Sequence, residues 1–433
     1  MSAPVLPVLV VADDHTGANA TAGRLAARGV EAVTLPAVDG DAAAVDATLR
    51  DRHPTAVVVS TASRHVEPQA AMLAVRRVLA SLPAARIVSK RIDTTLRGNI
   101  GSELDAVLRA ELAAGRQATA LVVPAHPDGG RTTVGGVQLV DGQPVTTSEA
   151  AADARRPVRA SRVAAVLAEQ MDQRIAEVDI DTVRAGGAAL STALAADAEV
   201  VVADAVDDGD LSRLAHAAVT VAERTGRRWV PCDPGPFTAA FADAAGALGA
   251  APGAVLALVG SVTSVTRAQL ASLSQRLRVA VVPVDVADLD GAALARRLAA
   301  EAHREDVDVV AAATAPQGAH VRTDLDAAAA DRIALELGRA LRTCMEHTSP
   351  AGLYLTGGDV TAGALAALDA DGLAVDREIL PLAVLGRVLG GPHAGTLVAT
   401  KGGLVGGADA AARCIDELRA AARVRDPSRS TPP

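Results

Sequence analysis

Aromatic side chains are nearly missing from this chain: two phenylalanines, one tyrosine and one tryptophan among 433 residues. Half of the residues are nonetheless hydrophobic, so the interior falls to Ala, Val and Leu, a filling that suits parallel strands buried on both faces under helices. Cysteine is scarce as well. Cys232, Cys344 and Cys414 form an odd set without CxxC spacing, which argues against a disulfide framework or a zinc site and leaves buried free thiols. No apolar run reaches membrane-spanning length without charges or glycine. The run Val5 to Val11 is short, has no basic leader and continues into Asp13-Asp14, so it reads as a first buried strand and not as a signal peptide. A formal net charge of −9 and scattered basic residues argue against an electrostatic nucleic-acid footprint as well. A soluble, cytoplasmic protein with a small-molecule ligand is expected.

Short apolar runs alternate with Ala/Leu/Arg-rich helical stretches along the whole chain, the pattern of βα units in parallel sheets. Strands are expected at Val5 to Val11, Ala56 to Ser60, Arg86 to Ser89, Ala120 to Val123 and Glu199 to Asp204. A second series runs through Val255 to Val259, Val279 to Val284, Val307 to Ala313, Leu353 to Thr356 and Leu397 to Thr400. Between the series, Gly246 to Gly253 is rich in small residues and breakers, and the domain boundary is placed there. The expected fold is α/β in two domains, residues 1–245 and 254–424, each a mostly parallel sheet flanked by helices, with the ligand cleft between them. The polar segment Gln138 to Pro157, with a turn at Asp141-Gly142, predicts a hairpin leaving the first sheet. The tail Arg425 to Pro433 reads as frayed.

Ligands of open parallel sheets sit beyond the carboxyl ends of strands, so the loops there are the first candidates. After the first strand, Asp13-Asp14 precedes a helix; such a pair can act as a general base, hold magnesium through water, or cap the helix. Arg64, among hydroxyls after the second strand, can clamp a carboxylate in a bidentate fork. Lys90 to Asn99 gathers three cations, one acid and two threonines at a strand-to-helix turn, a composition suited to binding an anion. Arg131, beyond the fourth strand, can reach the same pocket. Together these loops describe a positive pocket with embedded acids, which fits a small polyhydroxy acid.

The second half differs, with glycine-rich turns after three strands at Gly260-Ser261, Gly357-Gly358-Asp359-Val360 and Lys401-Gly402-Gly403. Glycines let backbone N–H groups approach a polyphosphate, and Asp359 or Lys401 can meet magnesium or phosphate charge. GxxxxGK[ST] is absent, which excludes a P-loop enzyme. No GxGxxG follows the first strand, which argues against a dinucleotide-dependent dehydrogenase, and neither GxSxG nor HExxH occurs.

With those loops laid out, the sequence resembles the four-carbon acid sugar kinase family over nearly its whole length. Lys90 to Gly101 is similar to that family's KKIDSTLRGNIG, Ala12 to Asn19 to its ADDFTGAND, and Pro124 to Thr133 to its PAFPEAGRTT. The resemblance implies an ATP-dependent kinase acting with Mg2+ on the terminal hydroxyl of a sugar acid. It places substrate contacts on Asp13 or Asp14, on Arg64 and on Lys90, Arg91, Ile92 and Asp93, and nucleotide contacts on Ser261, Gly357 to Val360, and Gly402 with its neighbours. Arg64 with Lys90 or Arg91 is expected to bind the substrate carboxylate, and Asp14 or Asp93 to take the hydroxyl proton. Metal ligands and the question of a homodimer stay open. A non-catalytic sugar-acid sensor of the same fold is the alternative reading.

Overall fold

The computed structural model describes residues 5–36, 49, 51–249, 253–261, 263–286, 289–304, 307–314 and 327–424. Val262, part of the expected boundary (residues 250–252) and the expected frayed tail lie outside the described residues. The chain divides into two compact units, Met1–Ala250 and Ala251–Pro433.

The first unit holds β1 (Leu6–Ala12), β2 (Ala32–Leu35), β3 (Ala56–Ser60), β4 (Ala85–Arg91), β5 (Ala118–Val122), β6 (Arg131–Val134), β7 (Val137–Val140), β8 (Gln143–Pro144), β9 (Ile175–Val178), β10 (Val200–Ala203) and β11 (Arg228–Asp233). Eight of these form one parallel sheet in the order β2-β3-β1-β4-β11-β5-β10-β9. Alternate residues of its central strands feed two cores, Val8 and Val10 on one face with Leu9 and Val11 on the other, as expected where helices cover both faces. β6, β7 and β8 form a separate antiparallel excursion. Its turns, Gly135-Gly136 and Asp141-Gly142, keep φ positive at both central residues, the geometry that tight hairpins demand.

The second unit contains β12 (Val255–Val259), β13 (Val279–Pro283), β14 (Val309–Ala313), β15 (Gly352–Thr356), β16 (Gly372–Leu380), β17 (Ala383–Leu389) and β18 (Leu397–Lys401). The sheet order is β13-β14-β12-β15-β18-β17-β16. The first five strands are parallel, and β17 and β16 close the far edge as an antiparallel hairpin. All three cysteines are buried free thiols, and among the described residues no helix is long and apolar enough to cross a membrane.

Every strand expected from apolar runs is present. Two of the strands that no clean apolar run announces have local reasons. β11 carries Pro231 in a central position, a residue that removes a ladder donor; pairing to β4 starts only at Cys232, one residue later. β16 is an edge strand with a single buried residue, Leu380, so no buried run marks it.

Candidate functional site

The register aligns three strand ends in the first unit. Ala12 pairs with Ser60 on one side and with Arg91 on the other, so the loops after β1, β3 and β4 leave the sheet side by side. The chain fills β2 and β3 on one side of β1 and then crosses to β4 on the other, which makes this a topological switch point, where open α/β sheets bind ligands.

Three carboxylates and three guanidiniums interlock there. Arg64 forks Asp13, with Nε 2.7 Å from Oδ2 and Nη2 3.0 Å from Oδ1. Its Nη1 lies 2.8 Å from Asp14 Oδ2 and 3.5 Å from Asp93 Oδ1. Arg91 Nη1 donates to Asp13 Oδ1 at 3.1 Å and to Asp14 Oδ1 at 2.9 Å. Arg97 forks Asp93 and reaches Asp153 Oδ2 of the excursion's trailing segment at 3.2 Å. The expected positive pocket is therefore charge-balanced: each cation already faces a carboxylate. Among these three guanidiniums Arg91 keeps a buried donor, Nε, without a hydrogen-bond partner. Gly17 makes room for this guanidinium, since a Cβ there would stand 1.9 Å from Arg91 Cζ.

The three acids are not equivalent. Asp14 caps the helix His15–Ala26 by accepting from Gly17 N at 2.8 Å, yet its side chain is 26% exposed against 4% for Asp13 and 6% for Asp93. Burial alone would raise the pKa of Asp13; the Arg64 fork and the charges of Lys90, Arg64 and Arg91 outweigh it and hold the group below its ordinary value. The same contest holds Asp93 below its ordinary value as well, with burial overcome by Arg97, Arg64 and Thr95. Its oxygens accept from Thr95 N at 3.2 Å, Thr95 Oγ1 at 2.5 Å and Arg97 N at 3.3 Å besides the Arg97 fork, so Asp93 is saturated as the hub of its own turn. A depressed folded-state pKa stabilises the fold above the unfolded value of 3.8 and is lost as pH falls through the folded one. The melting-temperature gap between the wild type and Asp93→Asn is thus expected to stay constant from about pH 8 to about pH 5 and to narrow below the carboxyl range; a gap that widens in acid contradicts this assignment.

Lys90 is also in place but not accessible. Its ammonium has no exposed surface, lies 2.7 Å from Glu103 Oε2, and donates to Arg91 O at 2.6 Å and Val11 O at 3.3 Å. The ammonium is thus occupied by one ion pair and two carbonyl hydrogen bonds, while Glu103 Oε2 itself accepts no hydrogen bond. Ile92 is buried and gives its backbone N–H to Asp233 O. Arg131 stays within its own turn, bonded to Gly129 O, with a buried Nε lacking a partner. Sequence reasoning did not single out Arg97, Glu103, Ser63 or Asp153. Glu103 had a signal, an acid in the first turn of a helix straight after the Lys90–Asn99 loop; Asp153 had none.

In the second unit, Val259 pairs with Thr356, and Thr356 with Lys401, so the three glycine turns also leave the sheet together. The chain again crosses over at β12, between β14 and β15. Gly260 leaves space for Val360, whose Cγ2 would stand 2.3 Å from a Cβ there, and Gly403 stands beside Ser261, whose Oγ would be 3.0 Å from its Cβ. Thr263 and Thr266 bind Gly403 O, and Gly357 N donates to Lys401 O at 3.0 Å. Gly357 (φ 101°) caps the helix Gly358–Ala367 without a side-chain hydrogen bond. A Cβ on Gly357 or Gly358 would meet none of the described residues within 4 Å. An uncapped helix N-terminus under open glycines fits a phosphate chain. Asp359, in the first turn, is the exposed carboxylate beside it. Lys401 is 2% exposed and donates to Gly402 O at 2.6 Å and Val405 O at 3.2 Å, with burial lowering its pKa. Lys90 and Lys401 are the only lysines in the chain. Among the described residues no group of three or more His, Cys, Asp or Glu side chains converges as a metal site.

Residues 8–241 match the family described as a sugar-binding N-terminal domain, and residues 256–411 the one described as a nucleotide-binding C-terminal domain. The chain is 36% identical to a D-erythronate kinase of Heliobacterium modesticaldum, over 95% of this chain and 97% of that one. It is 30% identical to a D-threonate kinase of Salmonella typhimurium, over 92% and 95%. A crystal structure of a domain of unknown function from Bordetella bronchiseptica, a domain-swapped dimer with bound citrate, superposes with a TM-score of 0.68 at 34% identity, covering 95% of this chain and 98% of that one.

Proposed function

Because this chain belongs to the four-carbon acid sugar kinase family, we propose that it transfers the γ-phosphoryl group of ATP to the terminal hydroxyl of a four-carbon sugar acid. D-Erythronate, D-threonate and 3-oxo-tetronate are the candidate acceptors, since relatives are named for each. The observation that carries the reading is Asp14, a partly exposed carboxylate held at a strand end by two buried guanidiniums.

The acid's carboxylate binds to Arg91, through its unpartnered Nε, and to Arg64; fully buried, Lys90 supports the loops from beneath. Asp14 orients the hydroxyl and accepts its proton as the oxygen bonds to the γ-phosphorus and the bond to the β,γ-bridging oxygen breaks, releasing ADP. A loose phosphoryl transition state asks for position more than for a strong base, so an ionised carboxylate is adequate. ATP is held at Ser261, Gly357 to Val360 and Gly402-Gly403. Asp359 would face the magnesium that accompanies the phosphates, which would supply neutralisation of their charge. Arg131 lines the outer part of the acid site, and Asp93 keeps Arg97 and the turn in place. The same reading makes the protein a cytoplasmic homodimer without nucleic-acid or membrane partners; the dimer of the Bordetella bronchiseptica structure supports its oligomeric part.

An ADP-release assay across the three acids tests the reading. Turnover with at least one, dependent on the acid, is expected. ATP binding without ADP release from any of them counts heavily against the reading, and a titration that finds no ATP binding favours the sensor alternative.

A further inference from the structure

Beneath the acid-binding loops lies a buried polar chain that the reaction itself does not use. Glu103, on the helix Ile100–Ala113, is 1% exposed, Lys90 is fully buried and Ser63 is 1% exposed. One Glu103 oxygen meets Lys90 Nζ at 2.7 Å. The other accepts from Ser63 Oγ at 2.7 Å. Ser63 Oγ is also 2.6 Å from Thr61 Oγ1, which donates to Ala12 O at 2.8 Å. Asn99 adds a clamp from the same helix start, its amide donating to Ser63 O at 3.0 Å and Val66 O at 2.9 Å. Glu103 thus reaches the ends of β1 and β4 through Lys90 and the loop after β3 through Ser63, the residue next to Arg64.

A buried ion pair contributes little net stability against an apolar pair of the same volume, because desolvation of both charges offsets their attraction. Its retention directly under a ligand site calls for a different account. Here the pair has a geometric output: with Ser63 it holds two strand ends and the loop after β3 to one helix, and the end of β4 and that loop bear Arg91 and Arg64, the guanidiniums that meet the substrate carboxylate. Lysine suits this place, since its compact ammonium donates to two carbonyls and ion-pairs with a carboxylate from one point, whereas a planar guanidinium fork is shaped for carboxylates and phosphates.

We propose that Glu103 is a positioning residue for acid binding, acting through Ser63 on Arg64, with Lys90 as its counter-ion. The proposal rests on the kinase reading for where the acid sits, but not for the loop order it predicts. Two variants test it. Ser63→Ala removes the Ser63 Oγ contacts to Glu103 and Thr61 and leaves the ion pair in place; Glu103→Gln keeps the side-chain volume but leaves Lys90 without its counter-charge. Both are expected to raise KM for the accepted acid, about tenfold for Ser63→Ala, the value of one hydrogen bond, and more for Glu103→Gln, with KM for ATP unchanged. Amide hydrogen exchange should speed up at residues 61–66 in both, while the strands of the first sheet keep their protection. An unaltered acid KM together with unaltered exchange in Ser63→Ala overturns the proposal. Should Glu103→Gln fail to fold, Ser63→Ala still decides. If the wild type phosphorylates none of the acids, the kinase reading fails, and exchange at 61–66 alone then confirms or refutes the positioning role.

Discussion

Asp14→Asn is expected to cut turnover of the sugar acid by about a hundred- to ten-thousand-fold, the range for loss of a general base, while ATP binding stays intact. Asn keeps the size of the side chain and remains a good N-cap, so the bond from Gly17 N and the start of the helix His15–Ala26 survive. What disappears is the negative charge between Arg64 and Arg91 and the capacity to take a proton. Steady-state ADP release read beside a direct ATP titration separates the two effects. Unimpaired turnover in Asp14→Asn would remove this residue from the chemistry. Asp93→Asn should behave differently, since that group already accepts from Thr95 and Arg97; its main effect is a looser turn.

Gly17→Ala is the second substitution with a large expected effect, and the reason is spatial. In an exposed helix the change would gain about 1 kcal/mol from propensity. At this position the new methyl falls 1.9 Å from Arg91 Cζ and Nη1 and 2.4 Å from Nε, and Arg91 is 7% exposed and tied to Asp13 and Asp14. The guanidinium has to leave its place, and breaking a buried ion pair costs about 3–5 kcal/mol, so the loss outweighs the gain. A displacement of about 1 Å at a positioning group costs on the order of a hundredfold in rate; kcat/KM for the acid should fall by at least about that factor and the melting temperature should drop. An alanine variant with normal acid kinetics would show that Arg91 does not need this position.

Much of this site is legible in the chain itself. The strand ends are marked by apolar runs that stop at Asp13, Ser60 and Ser89, the last of these two residues short of the end of β4, and the loops beyond such ends are where an open sheet takes its ligand. The three glycine turns of the second unit are legible for the same reason, and the register lays them side by side. Composition does not reveal which charges cancel. Lys90 and Arg64 look alike as cations after a strand, yet one is fully buried against Glu103 and the other lies among three carboxylates. Pairing of that kind depends on where the helix that carries Glu103 returns to the sheet, a tertiary fact that local pattern does not carry. Asp153 is further removed, because its meeting with Arg97 requires the path of the whole excursion.

Of the 42 Lys and Arg residues only two are lysines, and both stand under strand ends, 0% and 2% exposed. Amine-directed chemistry, from acetyl donors to bifunctional cross-linkers, therefore finds no side-chain amine on the folded surface. Label appearing on Lys90 reports an opening of the first unit, and label on Lys401 an opening of the second, so the arrangement supplies each half of the molecule with its own built-in reporter of unfolding.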